Sequence, residues 1–77
     1  MYCLYFVSMF QNIKLKNGDR YNTISNGTVK LRYPIGDFES LMLAEKLIAK
    51  DTMNKNPEIA DMSVTITSYQ HISSNPF

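Results

Sequence analysis

Seventy-seven residues, 44% hydrophobic and 19% charged, suffice for one core, and a domain of this size buries only about 60 to 65% of the surface its unfolded chain exposes. That composition excludes intrinsic disorder, and no stretch approaches the roughly 18 consecutive apolar residues of a membrane-spanning helix. A net charge of +1 selects no class of partner.

From Tyr2 to Phe10 the chain is β-branched, aromatic or otherwise apolar, with Tyr2, Leu4, Phe6, Ser8 and Phe10 on one face of a strand and Cys3, Tyr5, Val7 and Met9 on the other. Both faces are greasy, the pattern of a strand covered on both sides, and the alternation does not say which face meets the rest of the chain. The run has no Lys or Arg before it and no small-residue cleavage pattern after it, so it is not expected to be a secretory signal. Cys3 has no intramolecular disulfide partner; it reads as a small buried residue, and a cytoplasmic location is expected.

Alternation continues through Ile13 and Leu15 to Asn17-Gly18, the preferred pair for a type I′ hairpin turn. Asp19–Ile24 is the expected return strand, Ser25-Asn26-Gly27 a second turn, and Thr28–Tyr33 a third strand. Pro34 and Gly36 end the sheet, and Asp37 is placed to cap a helix running to about Asn54, stopped by Asn56-Pro57. Its main apolar face is expected to be Leu41, Leu43, Ala44, Leu47 and Ile48, with Phe38, Met42, Ala49 and Met53 toward the polar side. Met62–Ile72 alternates as a last strand, and residues 73–77 read as a flexible tail. The expectation is a single α+β domain over residues 1–72: a four-stranded antiparallel sheet in βββαβ order packed on one helix.

The inventory for chemistry is thin. One histidine, His71, and one cysteine, Cys3, offer no metal-ligand spacing, and Gly18, Gly27 and Gly36 stand in separate turn contexts instead of a phosphate loop. No catalytic constellation can be assembled, so neither an enzyme nor a cofactor is expected. Charge is unevenly spread along the chain. Residues 14–32 hold Lys14, Lys16, Arg20, Lys30 and Arg32 against Asp19, whereas residues 37–61 carry an excess of acids. A basic hairpin bearing Tyr21 and Tyr33 has the groups of a single-stranded nucleic-acid platform, although an RNP-type motif is missing.

A protein-binding role has a positive argument. One helix covers one face of a sheet, so the second apolar face of the first strand calls for another cover. A second copy supplies it, each fully buried ring contributing about 1.5 to 3 kcal/mol. Tyr2, Leu4, Tyr5, Phe6 and Phe10 are the expected dimer interface, and Glu39, Met42 and Glu45 on the helix, or Lys30 and Arg32 on the hairpin, the surface for a partner.

The opening strand YCLYFVSMF, the Asn17-Gly18 hairpin, the helix DFESLMLAEKLIAK and the closing strand VTITSYQHI together resemble small counter-defence proteins of bacteriophages and mobile elements, the anti-CRISPR and anti-BREX inhibitors. The resemblance is one of size and pattern over nearly the whole chain. It implies a compact, non-enzymatic binder that blocks or redirects a larger host protein, in the host cytoplasm if the chain is phage-encoded; the homodimer is the expectation from the first strand. Two other readings stay open: a single-stranded nucleic-acid binder, and a sponge for a nucleotide signal.

Overall fold

The length and double-sided apolarity of the opening segment make it the centre of the fold. In the computed structural model, which describes residues 2–75, β1 (Tyr2–Leu15) is the middle strand of an antiparallel sheet, flanked by β2 (Arg20–Leu31) and β3 (Ile59–Asn75) in the order β2-β1-β3. A single helix, α1 (Phe38–Lys55), joins β2 to β3 and packs chiefly against β3. The class is α+β as expected, but the sheet has three strands where four were anticipated.

The difference arises at Ser25-Asn26-Gly27. Local turn chemistry there is overridden by the ladder: Gly27 pairs with Val7, Asn26 with Ser8 and Ser25 with Met9 in a register unbroken from Cys3↔Leu31 to Lys14↔Arg20. A reversal at this point would have left half of β1 without partners, and buried backbone amides do not forgo theirs. The first turn also differs in kind. Gly18 alone takes positive φ (95°), so Asn17 is not in the conformation that a type I′ turn requires. Instead the Gly18 amide donates to Leu15 O at 3.0 Å and the Leu15 amide to Asp19 O at 2.8 Å, the three-residue loop closed by a left-handed glycine.

Asp37 caps α1 as expected. Its Oδ1 accepts from the Ser40 amide at 2.8 Å while the Asp37 amide donates to Ser40 Oγ at 3.1 Å, a reciprocal capping box. At the other end the Asn56 amide donates to Met53 O, and Pro57 bars continuation. The buried side of the helix keeps Leu41, Ala44 and Ile48 of the expected face but is rotated away from Leu43 and Leu47. Ala44 and Ala49 are buried, with Leu41, Ile48 and Met53 packed on the core, whereas Leu43 and Leu47 remain 47% and 45% exposed. Two alanines at the contact let the helix axis come close to the sheet, and its offset toward β3 turns Ala49 and Met53 inward and Leu43 and Leu47 outward.

β3 starts earlier and ends later than the sequence suggests. It begins at Ile59 and continues through residues 73–75, which pair with Leu4, Cys3 and Tyr2; Pro76 and Phe77 of the expected tail lie outside the described residues. Three register shifts against β1 interrupt it, between Leu4 and Tyr5, Ser8 and Met9, and Lys14 and Leu15. The core lies between sheet and helix and is built from the odd-numbered face of β1, with Leu31 and Val7 wholly enclosed. Among the described residues no helix is long and apolar enough to cross a membrane.

Candidate functional site

The parity of β1 is decided by where α1 lands. Cys3, Tyr5, Val7, Met9, Gln11 and Ile13 are buried under it, and Tyr2, Leu4, Phe6, Ser8, Phe10 and Asn12 form the middle row of the opposite face, which no element of the described residues covers. Of the expected dimer residues, Tyr2, Leu4, Phe6 and Phe10 therefore lie together on this open face. Tyr5 does not: it is 4% exposed on the helix side, where its hydroxyl oxygen accepts the Ile35 amide at 2.9 Å and its ring sits 5.9 Å from Tyr69 and 5.2 Å from His71.

On the open face β2 contributes Asn22, Ile24, Asn26 and Thr28 opposite Asn12, Phe10, Ser8 and Phe6, and β3 contributes Ser63, Thr65, Ser68, Gln70 and Ser73. None of these carries a charge. Cations stand only at the ends: Lys14 beside Arg20 with Asp61 on its other flank, and Lys30 with its ammonium 5.5 Å above the Tyr2 ring. Ile24 is 82% exposed and Phe6 40%. Ile24 was missed at the sequence level because the segment was divided at Ser25; read as one strand, 20–31 puts it in the same row as Thr28 and Lys30.

The expected partner residues are scattered. Glu39 is exposed in the first turn of α1, and Met42 is exposed one turn further on. Glu45 is not available as expected: its Oε2 accepts the Ile66 amide at 2.7 Å, beside the register shift that Thr67 closes by donating its hydroxyl to Ser8 O. Lys30 and Arg32 instead line a hollow of ≈ 540 Å³ with Lys46 and Lys50 of α1, floored by Leu31, Tyr33, Leu43 and Leu47. A second hollow of ≈ 420 Å³ adjoins it between β2 and α1, lined by Val7, Met9, Gly27, Val29, Leu47 and Ile48 among others. The charges that separate along the sequence thus converge in space. Lys55 pairs with Asp51 at 3.2 Å, while no carboxylate of the described residues is in ion-pair contact with Arg32, Lys46 or Lys50.

The basic hairpin does not assemble the platform its composition suggests. Tyr21 pairs with Ile13 on the helix side, so it faces away from Lys14 and Arg20, and Tyr33 lies beyond the end of β2. Cys3 is buried and His71 exposed, and no group of three or more His, Cys, Asp or Glu suited to a metal occurs among the described residues. Asp37 has its carboxyl held below the usual range, first by the Ser40 amide and then by the Ser40 hydroxyl, a capping effect, at the margin of a small hollow it shares with Tyr33, Glu39 and Leu43. Comparison with family models, curated proteins and solved structures finds no match.

Proposed function

We propose that this chain is a non-enzymatic protein-binding module that works as a homodimer, the two copies meeting through the open face of the sheet. The observation that supports this reading is the uncovered row of Tyr2, Leu4, Phe6 and Phe10 with Ile24 beside it, in a field with no charge between its two ends. Interface centres are depleted of charge and enriched in aromatic residues in this way. The area is sufficient: three strands about 4.8 Å apart and about twelve residues long at 3.3 Å each present roughly 600 Å² per copy, and roughly 1,200 Å² for two copies reaches the lower end of specific interfaces. The resemblance to counter-defence proteins makes a larger host protein the partner class of the assembled dimer.

Light scattering on the eluting protein tests the dimer. The wild type should run at twice its chain mass at micromolar concentration, and Phe6→Glu and Ile24→Glu, both at exposed positions, should run as folded monomers. A wild type that stays monomeric at 100 μM overturns the proposal. A second reading, single-stranded nucleic acid laid along the same face, is favoured by the Tyr2, Phe6 and Phe10 row with Lys30 at its end, although the phosphates would find no cation in the middle. It requires oligonucleotide binding that weakens with salt and with Lys30→Ala and Arg32→Ala.

A further inference from the structure

The two edges of the sheet are treated differently. β3, one edge strand, is irregular, with three register shifts in its ladder with β1, and its Ile66 amide donates to Glu45. These are the devices by which proteins keep strand edges from recruiting other chains. β2 has none of them. It is twelve residues long, in unbroken register with β1, without proline, and without charge between Arg20 and Lys30.

The helix side beyond β2 is equally unfinished. Because α1 sits over β3, the flank of the helix that a strand outside β2 would lie beneath is bare: Leu43 and Leu47 are about half exposed over the paired hollows. The hollow at the C-terminal end of β2 is ringed by cations, and among the described residues no carboxylate is in ion-pair contact with Arg32, Lys46 or Lys50. Asp51, at the margin of the other hollow, is already engaged by Lys55.

From this juxtaposition we infer that the β2 edge is a docking site for an extended, acidic segment of another polypeptide, which adds to the sheet as a fourth strand and lays alternate apolar side chains against Leu43 and Leu47. Main-chain hydrogen bonds supply affinity and the alternating side chains supply selectivity, as in other strand-addition complexes. A second copy of β2 is a poor occupant: antiparallel pairing over the full strand, centred on Ser25, sets Arg20 of each copy opposite Lys30 of the other, and like charges in that position repel. An acidic strand reverses the sign at both ends. The inference rests on the reading of the chain as a protein-binding module and names the chemistry of its partner; it does not depend on the dimer.

The probe is a fluorescein-labelled peptide, EVTVTVTVTVE, whose terminal glutamates are spaced to meet Lys30 and Arg20 while its valines face α1. Fluorescence anisotropy should show saturable binding to the wild type. Affinity should fall about threefold to tenfold when both glutamates become lysine, and binding should be abolished when alternate amides on the pairing edge are N-methylated. Leu47→Glu, at an exposed position, should weaken binding with an unchanged circular dichroism spectrum. Phe6→Glu should bind as the wild type does, which separates failure of this site from failure of the dimer. Absence of binding, indifference to N-methylation or to Leu47→Glu, or tighter binding of an oligothymidine than of the peptide would each overturn the proposal.

Discussion

Tyr5 shows how one side chain fixes the sense of the whole sheet. Its ring is enclosed by the core and its hydroxyl oxygen is the acceptor for the Ile35 amide, so the strand and the loop before α1 are tied at one point. Tyr5→Phe keeps the ring and removes the acceptor, leaving a buried amide unpaired at a cost of about 1 to 3 kcal/mol; urea unfolding should show the loss, with the m-value unchanged. Asp37 gives a pH-dependent counterpart. Its carboxyl is depressed in the folded chain by the Ser40 amide and hydroxyl, so its stabilising effect is complete above the unfolded aspartate range near pH 4 and is lost as pH falls through the lower folded value. Thermal melts between pH 7 and 3 should show an acid-limb decline that Asp37→Ala removes while lowering the melting temperature at neutral pH. The cap was legible in the sequence because everything it needs lies within four residues. The burial of Tyr5 was not, since an alternation that is apolar on both faces carries no sign.

The same contrast governs the strands and the helix. Asn17-Gly18 reverses the chain because a left-handed glycine is required wherever the ladder closes, whereas Ser25-Asn26-Gly27, with equal local turn character, is pulled straight by twelve partners on β1. Gly27 has no positive φ, and nothing lies within 4 Å of where a Cβ would stand. Gly27→Val should therefore stabilise the protein by about 0.5 to 1 kcal/mol, because a glycine in a strand interior carries excess backbone entropy. A turn at this position would give the opposite sign, so a chemical denaturation curve distinguishes the two backbones directly. The helix limits were readable from Asp37 and Asn56-Pro57, but its rotation was not: Leu43 and Leu47 look like core on a wheel, and only the offset of α1 toward β3 exposes them.

At the level of the whole molecule, the described residues form one sheet with a helix on one face and no further element on the other. A sheet with Ile24 and Phe6 open to water and Phe10 half-buried gives up burial that a domain of this size needs. The proposed dimer would recover it and would make stability depend on concentration. The melting temperature of the wild type should accordingly rise with protein concentration, while that of Phe6→Glu should not. That Tyr2, Leu4, Phe6 and Phe10 share one face was legible in the alternation, but that this is the open face, with Tyr5 in the core and Ile24 beside the row, was not. The cationic hollow was hidden because its cations are far apart in the sequence, Arg32 just past the end of β2 in the basic stretch 14–32 and Lys46 and Lys50 in the stretch 37–61, where acids are in excess.

The central position of β1 also sets a kinetic order. β1 and β2 are joined by a three-residue loop and can zip as a hairpin, but the ladder that matches Tyr5 with His71 and Tyr2 with Asn75 joins opposite ends of the described chain. Closing so large a loop must be paid in entropy before any contact rewards it. The rate of refolding should thus be governed by the arrival of β3, and until then the first strand would stand with one flank unzipped, the interval in which pairing with the wrong neighbour is expected.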